Sequence, residues 1–345
     1  MVDNLNERER RVLEAVIQSY VESAEPAGSR TIARRFGLGV SPATIRNTMS
    51  DLEDKGYLFH PHTSAGRIPT DMAYRVYVDS LMRVFPPDVL ATDRLRGEIS
   101  AGGTAIETIL RRAAQMLGVL TQELGVATGP RFEELILEKL ELIRLSAERL
   151  LLVLRLNGGP ARTIFVEAPG DVAESALAAV SLVLNERLNG HSLRDIRATL
   201  GERLRDTEAS SDARELLNIF IQEGDQLFDV PTPLTQDILL GKTSHLAEQP
   251  EFSSSQQIRK LLALTDQPQA LGELLRKREA HPGITITIGS EHDEESLANL
   301  TIVTSEYHVG TLTGVIGVIG PTRMPYEKVI SLVTHTSRLI TDLLE

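Results

Sequence analysis

Ser41-Pro42-Ala43-Thr44-Ile45-Arg46-Asn47-Thr48-Met49-Ser50-Asp51-Leu52 is the stretch on which the reading of this chain turns. Ser is a favoured N-cap and Pro a favoured first helical residue, because the ring presets φ and its missing N–H would be unpaired there anyway. From that start Ile45, Met49 and Leu52 recur at helical spacing toward a core, and the helix is expected to stop at Gly56. Upstream, a shorter helix is predicted from about Ser29, with Ile32 and Phe36 inward, Arg30, Arg34 and Arg35 outward, and Gly37 as its left-handed terminus. The intervening Gly37-Leu38-Gly39-Val40 is a glycine-bearing turn, so the two segments read as a helix-turn-helix whose second helix has a capped, open N-terminus.

Working outward, residues 5 to 23 carry Leu13, Val16, Ile17 and Tyr20 on one helical face, and Glu25-Pro26-Ala27-Gly28 ends that helix. After Tyr57, two short extended pieces around Ser64-Ala65-Gly66-Arg67 read as a wing. Thr70 or Asp71 then caps a helix through Arg83, and Phe85-Pro86-Pro87 closes a first domain at 1–85. Residues 92 to 126 read as helical, with Ile109, Leu110, Ala113 and Leu117 among the residues of one face. The pattern turns to β between 135 and 169, where two apolar runs flank the hairpin turn Asn157-Gly158-Gly159. A helix is predicted over 172–188, strands over 284–288, 300–304 and 315–319, and a closing helix over 326–344. These enclose a charged helical middle, so an α/β sensor-like domain of 86–188 and 250–345 is expected, interrupted by an insert at 189–249. The fold class is α+β multidomain.

A length of 345 residues exceeds one ordinary core and suits two or three domains. There is no Cys, which removes disulfides, thiolate metal sites and cysteine nucleophiles and agrees with a reducing compartment. No signal segment or membrane span is legible, and a cytoplasmic location is expected. A net charge of -12 argues at first against nucleic acid. Residues 1–85, however, hold 11 basic and 11 acidic side chains, so the whole excess of negative charge lies downstream.

With the core positions set aside, Ala43, Thr44, Arg46, Asn47 and Ser50 face outward near the N-terminus that enters a major groove in this geometry. Arg can bind guanine bidentately, Asn can bind adenine, and Ala or a Thr methyl can meet the thymine methyl. Ser41 and its neighbouring N–H groups suit a phosphate, His62, Thr63, Ser64 and Arg67 of the wing suit the backbone or a minor groove, and Arg30, Arg34 and Arg35 can flank phosphates. The plainer reading of each arginine is a solvated charge, and only the capped helix together with the wing reverses it. His60 and His62 have metal-ligand spacing, but wing packing or a phosphate contact is the better account. No catalytic residue, metal or cofactor is assigned: the downstream histidines are scattered, and Gly310, Gly314, Gly317 and Gly320 suit strands better than a phosphate cradle. One such module grips few base pairs, so two copies on an inverted repeat are expected.

The residues already quoted carry a resemblance. Ala27-Gly28-Ser29-Arg30-Thr31-Ile32-Ala33, Ser41 through Met49, Leu52-Glu53-Asp54-Lys55-Gly56-Tyr57, and the wing run Pro61-His62-Thr63-Ser64-Ala65-Gly66-Arg67-Ile68-Pro69-Thr70 closely resemble the HrcA family of bacterial heat-inducible transcription repressors. Leu227-Phe228 and the run Gly310 to Gly320 followed by Pro321-Thr322-Arg323-Met324-Pro325-Tyr326 extend the likeness downstream. The resemblance implies a winged-helix domain, a GAF-like domain and an inserted dimerisation domain. It also implies a homodimer on an inverted-repeat operator in double-stranded DNA upstream of chaperone operons, with the chaperonin promoting the active state. The alternative is a small-molecule-responsive regulator that uses the GAF-like domain as its ligand sensor.

Overall fold

The computed structural model describes residues 4–62, 66–101, 105–158, 161–168, 170, 172–205, 210–228, 238–254, 268–279 and 282–344. In chain order the helices and strands of the N-terminal part are α1 (Glu7–Ser23), α2 (Ser29–Phe36), α3 (Pro42–Asp54), β1 (Leu58–Phe59), β2 (Ile68–Pro69) and α4 (Asp71–Val76). There follow α5 (Val89–Ser100), α6 (Ile106–Thr121), β3 (Leu124–Thr128), β4 (Leu137–Arg144), β5 (Arg149–Leu156), β6 (Arg162–Glu167), α7 (Glu174–Leu188), α8 (Leu193–Leu204) and α9 (Ser211–Leu227). The last are β7 (Ile238–Leu240), α10 (Ser244–Ala247), α11 (Pro268–Arg276), β8 (Ile284–Ile288), β9 (Leu300–Val309), β10 (Leu312–Pro321) and α12 (Tyr326–Leu344). Among the described residues no helix is long and apolar enough to cross a membrane.

The chain divides into two compact units, one of Met1–Gly129, Gln236–Tyr307 and Val315–Leu343, the other of Pro130–Thr235 and His308–Gly314 with the last two residues. In the first unit, α1 opens on a capping box: the Asn6 side chain accepts from Glu9 N–H at 3.0 Å while Asn6 N–H donates to the Glu9 carboxylate at 2.9 Å. Val12, Leu13, Val16 and Ile17 of α1, Ile32 of α2 and Ile45, Met49 and Leu52 of α3 bury into one small core. β1 and β2 pair antiparallel, Leu58 opposite Pro69 and Phe59 opposite Ile68. The helix expected to reach Arg83 changes to π winding over Tyr77–Leu81 and stops. Extended backbone is favoured ahead of Pro86 and Pro87, and the chain is irregular from 82 to 88.

The rest of this unit is a five-stranded sheet in the order β7-β3-β10-β9-β8, with antiparallel pairing of β10 to β3, β3 to β7 and β8 to β9. The helix expected over 92–126 is instead two helices and an inner strand. All five residues of β3 are buried, so its sequence lacks the alternation that marks a half-covered strand. Gly125 permits the close approach of α6: a Cβ there would lie 1.8 Å from the Ala114 carbonyl oxygen.

The second unit pairs β4, β5 and β6 antiparallel in that order. One face of this sheet, with Leu140, Leu150, Leu152 and Leu154, shares a core with Leu177, Val180 and Leu184 of α7, Leu200 of α8 and Leu216 and Phe220 of α9. The leucine face and the helices α8 and α9 that cover it lie in one compact unit, and 1–85 is grouped with the five-stranded sheet in the other.

Replacing Gly125 with Ala is expected to destabilise the protein by about 3 kcal/mol, because the α6 backbone must move to admit a methyl group. Urea unfolding midpoints of the two proteins measure this, and an unchanged midpoint would contradict the packing described.

Candidate nucleic-acid interface

The N-terminus of α3 is built by Ser41, whose Oγ accepts from Thr44 N–H at 3.1 Å and lies 2.9 Å from Thr44 Oγ1. Ile45 N–H bonds to Ser41 O, and Pro42 has no N–H. Ala43 N–H is therefore the first-turn donor left without a partner among the described residues, at the positive end of the helix. Ser41, Ala43, Arg46, Asn47 and Ser50 are exposed, and Thr44 is half-buried. The acids of α3, Asp51, Glu53 and Asp54, all lie in its last turns.

Arg30, Arg34 and Arg35 are exposed on α2. Arg35 is ion-paired with Glu22 and its guanidinium sits 5.6 Å from the centroid of the Phe36 ring. Arg30, Arg34 and Arg46 have no ion pair among the described residues. The structure thus places these three cations, Asn47 and the free Ala43 N–H on the helix-turn-helix.

The wing is held from beneath. Arg67 exchanges backbone hydrogen bonds with Ala27, at 2.8 and 2.9 Å, which joins it to the segment entering α2. A Cβ on Gly66 would come within 2.4 Å of the Ala27 carbonyl, so only glycine allows that crossing. Thr70 Oγ1 donates to Gly56 O at 2.9 Å, and Thr70 N–H donates to Tyr57 O. The Arg67 guanidinium, expected at the wing tip, is only 13% exposed and pairs with Glu53 at 2.7 Å. The same carboxylate lies 2.5 Å from His60 Nδ1, so Glu53 joins α3 to both sides of the wing. His62 is exposed, while Thr63 and Ser64 lie outside the described residues. Sequence reasoning passed over Glu53, and read Gly66 only as part of the wing turn and Thr70 only as the cap of α4, which it is. All three stand inside the quoted motifs, but their roles depend on partners such as Ala27 that are distant in sequence.

Glu9 is 5% exposed and takes Lys55 Nζ at 2.9 and 2.8 Å. Burial pushes its carboxyl up, but the Lys55 ammonium and the Asn6 N–H outweigh this and hold it below the ordinary carboxylate value.

With this geometry in place, comparison with known proteins is decisive. Residues 107–330 match the family profile described as HrcA protein C terminal domain. Full-length relatives share the same description, heat-inducible transcription repressor HrcA. The protein of Chlorobium phaeobacteroides strain BS1 is 40% identical over 97% of each chain, and that of Geobacter sulfurreducens is 38% identical over 99% of each. The chain belongs to the HrcA family. A crystal structure of a hypothetical protein at 2.2 A resolution covers 99% of each chain with a TM-score of 0.62 at 20% identity, a likeness of fold alone. The profile match to HrcA begins within α6, so the motifs in α2, α3 and the wing add evidence from residues outside it.

Because the folded Glu9 value is depressed, its contribution to stability is present above the unfolded carboxylate value of about 4.3 and is lost as pH falls through the folded value. Lys55→Met should therefore cost about 1–3 kcal/mol at pH 7. That difference should vanish at acid pH once Glu9 is protonated in both proteins. Denaturant titrations at pH 7 and below pH 4 check this, and a difference independent of pH would contradict it.

Proposed function

We propose that the chain represses transcription by binding an inverted-repeat operator in double-stranded DNA as a homodimer, with α3 of each winged helix in a major groove. The observation that carries this reading is the outward face of α3: Ser41, Ala43, Arg46, Asn47 and Ser50 are exposed on a capped helix whose acids, Asp51, Glu53 and Asp54, all follow them. In that pose Arg46 and Asn47 read base edges, while Ala43 N–H, Ser41, Arg30 and Arg34 take phosphates, with Thr44 beside them. Arg35 joins them by exchanging Glu22 for a phosphate. Arg67, paired with Glu53, anchors the wing, and His62, Thr63 and Ser64 are assigned to contacts with the DNA backbone. The membership of the chain in a family of heat-inducible repressors supports an operator upstream of chaperone genes, with chaperonin availability setting the active fraction. In this reading the five-stranded sheet with α6 and α12 is the GAF-like domain and has no catalytic role.

Pairing of two copies is supported by the second unit. Ile143, Leu151 and Phe165 are cross-strand neighbours in the register of β4, β5 and β6, on the face away from the shared leucine core. Ile143 and Phe165 are 44% and 62% exposed, an apolar stripe suited to a second copy. Ile143→Glu combined with Phe165→Glu should give monomers in light scattering and weaken operator binding, whereas an intact dimer would contradict this assignment of the interface.

Arg46→Ala should reduce discrimination for operator over unrelated DNA by roughly 1–3 kcal/mol, the value of one bidentate base contact. Arg34→Ala should weaken all DNA evenly and lower the salt dependence by about one phosphate contact. Filter binding across a salt series separates the two. Unaltered operator preference in the Arg46 variant would overturn the proposed reading of α3.

A further inference from the structure

We infer that Arg323 is a positioning residue for operator binding, clamping the end of α1 to Glu251 and so holding α3 at the fixed attitude that a two-headed reader of an inverted repeat requires. The inference rests on the homodimeric reading above.

Arg323 stands in the short turn between β10 and α12, and its side chain is only 13% exposed. Its Nη1 donates to the carbonyl oxygen of Val21, in the last turn of α1, at 2.7 Å. Nε and Nη2 grip the Glu251 carboxylate at 2.5 and 3.0 Å. A planar guanidinium with a fork of donors can hold a carboxylate and a main-chain carbonyl at once, which the point charge of Lys cannot reproduce. α1 in turn carries α3, through the shared core and the Glu9–Lys55 pair. A second clamp lies nearby in sequence to the wing: Arg75 grips Glu291 at 2.6 and 2.5 Å and donates to Ile286 O at 2.8 Å, while Asp71 accepts from Ser290 N–H.

The covalent link downstream of the helix-turn-helix segment is the irregular stretch 82–88, which restrains orientation weakly. Orientation is therefore set by contacts, and the two arginine clamps supply directional ones alongside the hydrogen bonds of Tyr77 to Glu327 and of Ser331 to the Phe85 carbonyl. Between them Tyr74 packs on Tyr326 with ring centroids 5.7 Å apart, an apolar contact that tolerates rotation better than a bidentate pair. Two heads held rigidly bind two half-sites as one event, and the gain depends on spacing. A loosened head lowers the effective concentration of the second site and accepts more spacings.

The test is a titration, at one salt concentration, of the full chain and its Arg323→Gln variant. The DNAs are inverted half-sites whose spacer grows one base pair at a time, and a single half-site. Wild type should prefer one spacer sharply. Arg323→Gln should bind that DNA about 10-fold more weakly, show a flattened spacer profile and keep its single half-site affinity within about twofold. Arg323→Lys should fall between, and Glu251→Arg with Arg323→Glu should leave the profile flat, because a carboxylate at 323 cannot donate to the Val21 carbonyl; a restored profile would overturn the inference. Should Arg323→Gln fail to fold by thermal melting, Arg75→Gln must show the same flattening. An unchanged profile, or an equal loss on the single half-site, overturns the inference while leaving the function intact. A wild type indifferent to spacing overturns the homodimeric reading, and this inference with it.

Discussion

An acidic protein that is to lie against a polyanion must put its carboxylates somewhere other than the contact face, and most of the architecture around α3 follows from that constraint. Glu9 is buried against Lys55, Glu53 is taken by Arg67 and His60, and Glu22 is taken by Arg35. Each of these pairs fastens one element to another, so the arrangement that removes negative charge from the surface also assembles the helices and the wing. What remains outward on α2 and the start of α3 is cationic or neutral, although the chain as a whole carries a net charge of -12.

The same economy of contacts connects the helix-turn-helix segment to the rest of its unit. Arg75 and Arg323 each pair with a carboxylate and a backbone carbonyl, and Tyr77 donates its phenol proton to Glu327. Beside Arg323, Glu123 is almost wholly buried, and burial pushes its carboxyl well above the ordinary range despite the hydrogen bond from Gln249. The carboxylate that Arg323 holds is that of Glu251. Polar groups withdrawn from water in this way are costly unless matched, which makes their partners specific and the orientation they impose narrow.

The parts of this arrangement that were legible in the sequence are those governed by local signals. Ser41-Pro42 set the start of α3, Gly37 the end of α2 and Asn157-Gly158 a hairpin, because caps and turns are written within a few residues. β3 was read as helix because a fully buried inner strand carries an unbroken apolar run that a helix can also show. The grouping of α8 and α9 with the β4–β6 sheet was not legible, because a sheet face and the helices that cover it share no sequence period. Arg67 illustrates the limit at the candidate site. Its motif was evident, but its partner Glu53 could be assigned only once the wing was seen folded back on α3. Arg323 and Val21 lie at opposite ends of the chain, and no pattern in either segment announces their contact.

In the proposed complex the exposed start of α3 lies in the major groove of an operator, once in each half of a symmetric assembly. Because the chain contains no Cys, a single Ser50→Cys substitution gives one attachment point per copy for a tethered iron chelate that cleaves nearby DNA. Two patches of cleavage related by the two-fold axis of the operator are expected, each with the strand offset of a major-groove source. Cleavage in one patch, a minor-groove offset, or damage spread evenly along the duplex would contradict that placement.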